Sequence, residues 1–210
     1  MLGFFISGHP LARYRAEVEL FGTRTTATLG QWSEQRVRIA AVATVVKRQI
    51  SKKTGAEYAR LTLEDFHGTA EALVFPEAWA KLNEVIRADR ALLFAGSYSA
   101  RDRGEEQAPF IVETAQALDD LKATGAIGVA LRWSPDAPPP PDATRAVAAL
   151  CAAHPGPAPV LVEWDDGSGN GGGSVPRLRS RSLHVDAADE LVVALRALLG
   201  PEHVHLVRTT

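Results

Sequence analysis

The sequence predicts a β-barrel unit followed by a small α/β unit, and three observations carry that prediction. Residues 36 to 116 hold five extended runs, with one short amphipathic stretch between the third and the fourth. Residues 126 to 210 alternate extended runs with two helical ones. Residues 117 to 125 fit neither period and read as a hinge between the two.

Residues 1 to 35 supply a helix and a connection. Pro10 suits a first helical turn, Leu11, Tyr14, Val18 and Phe21 lie three or four apart, and Gly22 stands where a helix ends. Thr23 to Gln35 is polar, with Leu29 and Trp32 isolated. The helix has an apolar face and no evident partner in its own segment, so it is expected to pack on a preceding domain.

The barrel elements follow. Arg36 to Val46 is a strand rich in β-branched residues, among them Val37, Ile39, Val45 and Val46. Lys47 to Glu57 reads as a polar loop with four cations, Lys47, Arg48, Lys52 and Lys53. The most informative stretch is Tyr58 to Trp79. Leu61 and Leu63 alternate with Arg60, Thr62 and Glu64, the period of a half-buried strand. Asp65-Phe66-His67-Gly68 supplies turn chemistry, with Gly68 free to take a positive φ. Ala70, Leu73, Val74 and Phe75 form the next strand. Pro76 ends it, since proline has no N–H for a ladder and suits a first helical turn. Ala78, Trp79, Leu82, Val85 and Ile86 then share one helical face. Ala91 to Tyr98 is a fourth strand, Ser99 to Ala108 a charged loop, and Pro109 to Gln116 a fifth strand. A helix between the third and fourth of five strands is the order of an OB-fold, a Greek-key barrel. A two-layer α+β sheet is the competing arrangement.

The second unit opens with a strand, Ala126 to Trp133, and a proline-rich connector, Ser134 to Pro141, that cannot join a ladder. Asp142 is placed to cap a helix running to about His154, and Pro159 to Trp164 is the next strand. Asp165 to Ser174 is glycine-rich but lacks the Gly-Lys-Ser/Thr ending of a phosphate loop, so it reads as a hairpin loop before the extended run Val175 to Val185. Asp186 is placed to cap a second helix with Leu191, Val192, Leu195, Leu198 and Leu199 on one side, stopped by Gly200-Pro201. His203 to Arg208 is a last strand. The fold class is therefore β plus α/β: a five-stranded OB-fold barrel with one helix, followed by a small α/β domain with two helices on a sheet.

Composition narrows the function. The chain of 210 residues carries a net charge of -2, and the barrel segment holds twelve Lys/Arg against eleven Asp/Glu, so an anionic partner must be met by a local patch. One cysteine, Cys151, excludes an internal disulfide framework and a cysteine zinc site, and a reducing cytosol is expected. Neither a signal peptide nor a membrane span is legible. The candidate nucleic-acid-binding residues are Lys47, Arg48, Lys52 and Lys53, the strand cation Arg60, and the aromatics Tyr58, Phe66 and Tyr98, which could stack on bases. A cationic hairpin tip is equally read as solvated surface, and each aromatic taken singly reads as core; Phe75 and Phe110 are assigned to the core. His203 and His205 could form half of a metal site but lack a third ligand, so strand histidines are the expected reading. No catalytic constellation and no cofactor motif is legible.

Leu2-Gly-Phe-Phe-Ile-Ser-Gly-His-Pro-Leu11, then Leu61-Thr-Leu-Glu-Asp65 with Gly68, and Glu71-Ala-Leu-Val-Phe-Pro76 resemble the C-terminal part of the alpha subunit of bacterial DNA polymerase III, the C-family of replicative polymerases. The order of a Ser-Gly-His-Pro helix, an OB domain and an α/β tail is also similar. The resemblance implies that the polymerase carboxylates lie upstream of this region, that the OB domain holds single-stranded template DNA, and that the tail docks the tau subunit of the clamp loader. Some members end in a clamp-binding run that begins with Gln and closes with an aromatic; His203 to Arg208 has neither, so no sliding-clamp contact is expected from it. The expectation is a non-catalytic module of a DNA-directed DNA polymerase, cytoplasmic and without cofactor, partnered by single-stranded DNA and other holoenzyme subunits. Its domains are residues 1–35 as a helix and connection left from an upstream domain, 36–116 as the OB domain, 117–125 as the hinge and 126–210 as the interaction domain. Two other readings stay open: a structural adaptor that packs on the polymerase body without touching DNA, and an OB domain of an RNA-binding enzyme such as an aminoacyl-tRNA synthetase.

Overall fold

Five strands close on themselves around apolar side chains that they turn to one common interior. They are β1 (Val37–Ile50), β2 (Glu57–Asp65), β3 (Gly68–Val74), β4 (Ala91–Ser97) and β5 (Phe110–Ala117), joined in the order β1-β2-β3-β5-β4 as a closed barrel. A computed structural model describes residues 9–165 and 175–209, and the chain divides between Leu118 and Asp119 into two compact units. Ile39, Leu61, Leu63, Val74, Phe94 and Phe110, each no more than 1% exposed, fill the barrel. α2 (Pro76–Leu82) lies between β3 and β4, with Pro76 at its first turn, so the first unit is an OB-fold. The parallel pairing of β3 with β5 completes closure, opposing Ala72 to Phe110. Two glycines serve the ladder. Gly68 turns the β2–β3 hairpin at φ +134°, and a Cβ on Gly96 would sit 1.9 Å from the Ile111 carbonyl oxygen.

Several predicted boundaries move for physical reasons. β1 runs to Ile50, because β2 pairs with it as far as Glu57, and this puts Lys47 and Arg48 on a strand instead of in a loop. α2 stops at Leu82, and a turn closed by the Ile86 N–H on the Leu82 carbonyl brings Ile86 into the core. The helix expected to seek a preceding domain, α1 (Arg15–Phe21), lies against β1 within its own unit, with Leu11, Tyr14 and Phe21 buried. The stretch read as a hinge contains α3 (Leu118–Ala123), in which Leu118 and Leu121 are buried.

One carboxylate ties the N-terminal connection to the barrel. Asp65, 6% exposed at the end of β2, accepts from the Thr26 backbone N–H at 2.8 Å, the Thr26 hydroxyl at 2.5 Å and the His67 N–H at 2.7 Å. It thus organises the hairpin as an Asx turn and holds the 3₁₀ turn Thr26–Thr28.

The second unit is a four-stranded sheet. β6 (Ile127–Trp133), β7 (Pro155–Trp164), β8 (Arg177–Val185) and β9 (Val204–Arg208) stand in the order β8-β7-β6-β9, with β6 and β7 parallel and the two outer pairs antiparallel. α4 (Ala143–Ala153) follows β6, and α5 (Asp189–Leu199) follows β8. Asp142 precedes α4 without a side-chain capping bond. Asp186 is not the cap of α5: its N–H goes to the His154 carbonyl, and the helix starts three residues later, where Asp189 and Glu190 meet the N-terminal dipole. Gly200, at φ +101°, ends α5 as expected. Most of the glycine tract lies outside the described residues; β7 and β8 on either side of it pair as a hairpin.

A row of charges crosses this sheet. Arg177 of β8, Glu163 of β7 and Arg132 of β6 are cross-strand neighbours. Glu163 is fully buried and accepts from Arg177 Nε at 2.7 Å and from Arg132 Nη2 at 2.9 Å, with His205 Nε2 of β9 at 3.0 Å. Burial by itself would raise the Glu163 carboxyl, but the two guanidinium bonds and the nearby cations outweigh it and hold its pKa below the ordinary value. Burial lowers the His205 pKa; Glu163 opposes the shift, while Arg132 and Arg177 add to it.

Two stability predictions follow from these carboxylates. Asp65→Ala strands the buried Thr26 N–H and is expected to cost about 1–3 kcal/mol in thermal or denaturant unfolding of the first unit, with Asp65→Asn costing less. Glu163→Gln weakens a buried charge that holds three strands, and a loss of about 1–3 kcal/mol is expected because both arginines are half exposed and regain water. Both pKa values in the cluster are depressed, so the unfolded chain binds protons more readily than the folded one, and acid destabilises the fold. The melting temperature of the second unit should fall first as pH drops through the imidazole range and again through the carboxylate range, and His205→Asn should flatten the first step.

Candidate nucleic-acid interface

The alternation that fills the barrel also fixes what β2 and β3 turn outward. With Ala59, Leu61, Ala72 and Val74 inside, Tyr58, Arg60 and Thr62 of β2 and Leu73 of β3 lie on the outer face, and Phe75 follows at 49% exposure. β1 adds Gln49 opposite Tyr58 and Lys47 opposite Arg60. The Tyr58 hydroxyl donates to Gln49 Oε1 at 2.5 Å, which fixes the ring across the strand pair. Lys52 and Lys53 stand on the β1–β2 tip and, with Ile50, Tyr58, Arg60, Leu73 and Phe75, line an open groove.

The groove is cationic at this end. Lys47 and Arg60 face each other as like charges, an arrangement that disfavours the empty state. Among the described residues no carboxylate forms an ion pair with Lys47, Lys52, Lys53 or Arg60. The other end of the same face is acidic. There Glu71 and Glu106 line the continuation of the groove beside Thr62 and Thr69. Arg103, in the β4–β5 loop, is drawn away by Glu34 at 3.6 Å and lies over the Trp32 ring.

Three of the residues singled out from sequence lie elsewhere. Arg48 is opposite Ala59, on the inward parity, and its guanidinium lies 5.6 Å from the Trp79 ring centre at the barrel end. Tyr98 is 8% exposed, donates its hydroxyl to the Leu29 carbonyl and packs beside Phe110, so it is core; burial pushes its phenol pKa up, against a smaller opposing effect of Arg24. Phe66 is half-buried, with the His9 ring 4.9 Å away and the Arg15 guanidinium 4.8 Å over it, so its ring is already occupied. Conversely, Phe75 was assigned to the core and is exposed, while Phe110 is buried as expected. Strand parity carried the missing signal, since inward Ala72 and Val74 require outward Leu73 and Phe75.

Among the described residues no cluster of three or more His, Cys, Asp or Glu could hold a metal ion. His203 stacks on Trp133 with ring centres 5.0 Å apart, its Nδ1 lies 2.8 Å from the Arg132 carbonyl, and His205 faces Glu163, so the two histidines have separate partners. No helix among the described residues is long and apolar enough to cross a membrane.

Comparison with known proteins bears on this geometry. No family model matches the chain. It is 26% identical over 205 residues to DNA polymerase III subunit alpha of Bacillus subtilis and 23% identical over 205 residues to that of Pseudomonas aeruginosa, in each case covering 98% of this chain and 17% of the relative. The Escherichia coli K12 subunit is 26% identical over 207 residues, with the same coverage. Among solved structures, asparaginyl-tRNA synthetase from Pyrococcus horikoshii aligns at TM-score 0.35 and 15% identity over 46% of this chain and 22% of that one. An OBody bound to hen egg-white lysozyme aligns at TM-score 0.34 and 13% identity, over 46% of this chain and 94% of that one. The chain thus spans about one sixth of the length of these curated relatives, and over nearly its whole length it is similar to the C-terminal region of DNA polymerase III subunit alpha.

Proposed function

We propose that this chain is a non-catalytic module of a replicative DNA polymerase that holds single-stranded template DNA on the outer face of β2 and β3 and docks the tau subunit of the clamp loader through its second unit. The observation that carries the DNA reading is the groove that Lys52, Lys53 and Arg60 line together with Tyr58, the half-buried Leu73 and the exposed Phe75, with Lys47 opposite Arg60 on the neighbouring strand and none of the four cations paired to a carboxylate among the described residues. Phosphates neutralise the facing Lys47 and Arg60, and bases stack on Phe75 and Tyr58 at about 1–3 kcal/mol each. The β2–β3 face and the β1–β2 loop are the surfaces on which OB-folds hold oligonucleotides. The docking reading is supported by the similarity to DNA polymerase III subunit alpha and by the open strand edges of the second unit's sheet. As part of a replication machine the chain is assigned to the cytoplasm.

The acidic far end of the face, with Glu71 and Glu106, favours a second reading in which the barrel packs on the polymerase body and touches no DNA. Fluorescence anisotropy of a labelled dT15 oligonucleotide separates the two. Binding at low salt is expected to weaken with log–log slope about −2, corresponding to roughly three phosphates at about −0.7 each. Lys52→Ala/Lys53→Ala should lower affinity several-fold and flatten that slope, and Phe75→Ala should weaken binding with the slope unchanged. Absence of binding at low salt, or variants indistinguishable from the parent, would leave the adaptor reading standing.

A further inference from the structure

The second unit carries an edge that neither its fold nor its similarity to known proteins explains. In the order β8-β7-β6-β9, β8 stands at the end of the sheet and, among the described residues, pairs with β7 alone. An exposed strand edge presents a row of backbone donors and acceptors that can accept another strand. The side chains of this edge are sorted by face. Arg177 lies opposite Glu163 and Arg179 opposite Leu161, both on the face that holds Arg132 and His205, while Leu178 lies opposite Val162 on the other face. Both arginines are exposed, and Leu178 is 68% exposed.

The charge on that face is unbalanced. Among the described residues Glu163 is its one buried carboxylate and is shared by Arg132, Arg177 and His205, leaving both guanidinium groups about half exposed, at 44% and 48%. The sharing fixes the position of Arg177, because its Nε is held at 2.7 Å while its remaining N–H groups stay available to an incoming acid. Arg179 has no carboxylate partner among the described residues. Edge arginines also protect a sheet from self-association, but that role calls for no exposed leucine between them.

We propose that β8 is the docking strand for an extended acidic peptide segment of a partner, which adds to the sheet beside β8. Its carboxylates, at alternate positions, meet Arg177 and Arg179, and an apolar residue between them covers Leu178. The occupant is specified by charge complementarity and by the period-2 sorting: acidic, apolar, acidic. Backbone hydrogen bonds supply affinity and the alternating side chains supply register. A nucleic acid would satisfy the arginines but not the edge amides or Leu178. The proposal rests on the reading of this unit as a docking unit and names the chemistry of the segment it takes.

The test uses the full 210-residue chain and fluorescein-labelled peptides containing Glu-Val-Glu-Val-Glu, the same sequence N-methylated at alternate residues, and Lys-Val-Lys-Val-Lys. The acidic peptide is expected to bind, its N-methylated form at least tenfold more weakly, and the lysine peptide not at all. Arg179→Glu, which leaves the Glu163 bonds in place, should weaken acidic-peptide binding at least tenfold, and Leu178→Ser several-fold, with the circular dichroism spectrum and melting temperature unchanged. No binding of the acidic peptide, equal binding of the N-methylated form, an unaffected Arg179→Glu variant, or preferential capture of dT15 by this edge would each overturn the proposal. Binding of the tau subunit is measured in parallel. If tau binds the parent and Arg179→Glu chains alike, the β8 mode fails while the docking reading survives, and if tau does not bind the parent, the docking reading fails.

Discussion

Barrel closure imposes the constraint on which the first unit depends. A strand shows each side chain to one face only, and the interior of a five-stranded barrel takes apolar side chains of limited total volume. Ala59, Leu61 and Leu63 of β2, with Ala72 and Val74 of β3, meet that demand, and each is no more than 1% exposed. Their neighbours are thereby committed outward, whatever their chemistry. Arg60 is set against Lys47 and Leu73, and Phe75 is left half in water because the chain leaves β3 for Pro76 at that point. A cationic, partly apolar groove is thus a consequence of closing the barrel on this particular hairpin, and the proposed DNA contact is the use made of it.

Buried carboxylates complete both units, by different means. Asp65 takes its three hydrogen bonds from Thr26 and His67, all neutral donors, and so joins the N-terminal connection to the hairpin. Glu163 takes bonds from two guanidinium groups with an imidazole alongside, and so joins all four strands of the second sheet. Satisfying a buried carboxylate with charged donors couples the fold to pH and leaves a surplus of positive charge at the sheet surface. That surplus is what makes the β8 edge a surface for acidic partners.

Periodicity made the architecture legible. Alternation in β2, the turn residues ahead of Gly68 and the proline at the start of α2 are local signals, and local signals survive in sequence. The destinations of aromatic side chains were less legible, because Tyr98 and Phe66 are covered by residues distant in the chain: the Leu29 carbonyl in one case, His9 and Arg15 in the other. Arg48 left the expected patch for a similar reason, since the continuation of β1 to Ile50 sets it opposite Ala59, exposed at the barrel end with its guanidinium beside Trp79. Phe75 was misassigned although its parity was readable. The Glu163 cluster could not be foreseen, because it assembles residues from four strands separated by up to 73 positions, from Arg132 to His205.

Amide chemical-shift mapping of the labelled chain with dT15 tests the central claim most directly. The account predicts perturbations concentrated at residues 47–54, 58–62 and 72–76, with Phe66, Tyr98 and the Glu105–Glu106 loop unaffected. Perturbations centred on that acidic loop or on the second unit, or none at all at low salt, would contradict it.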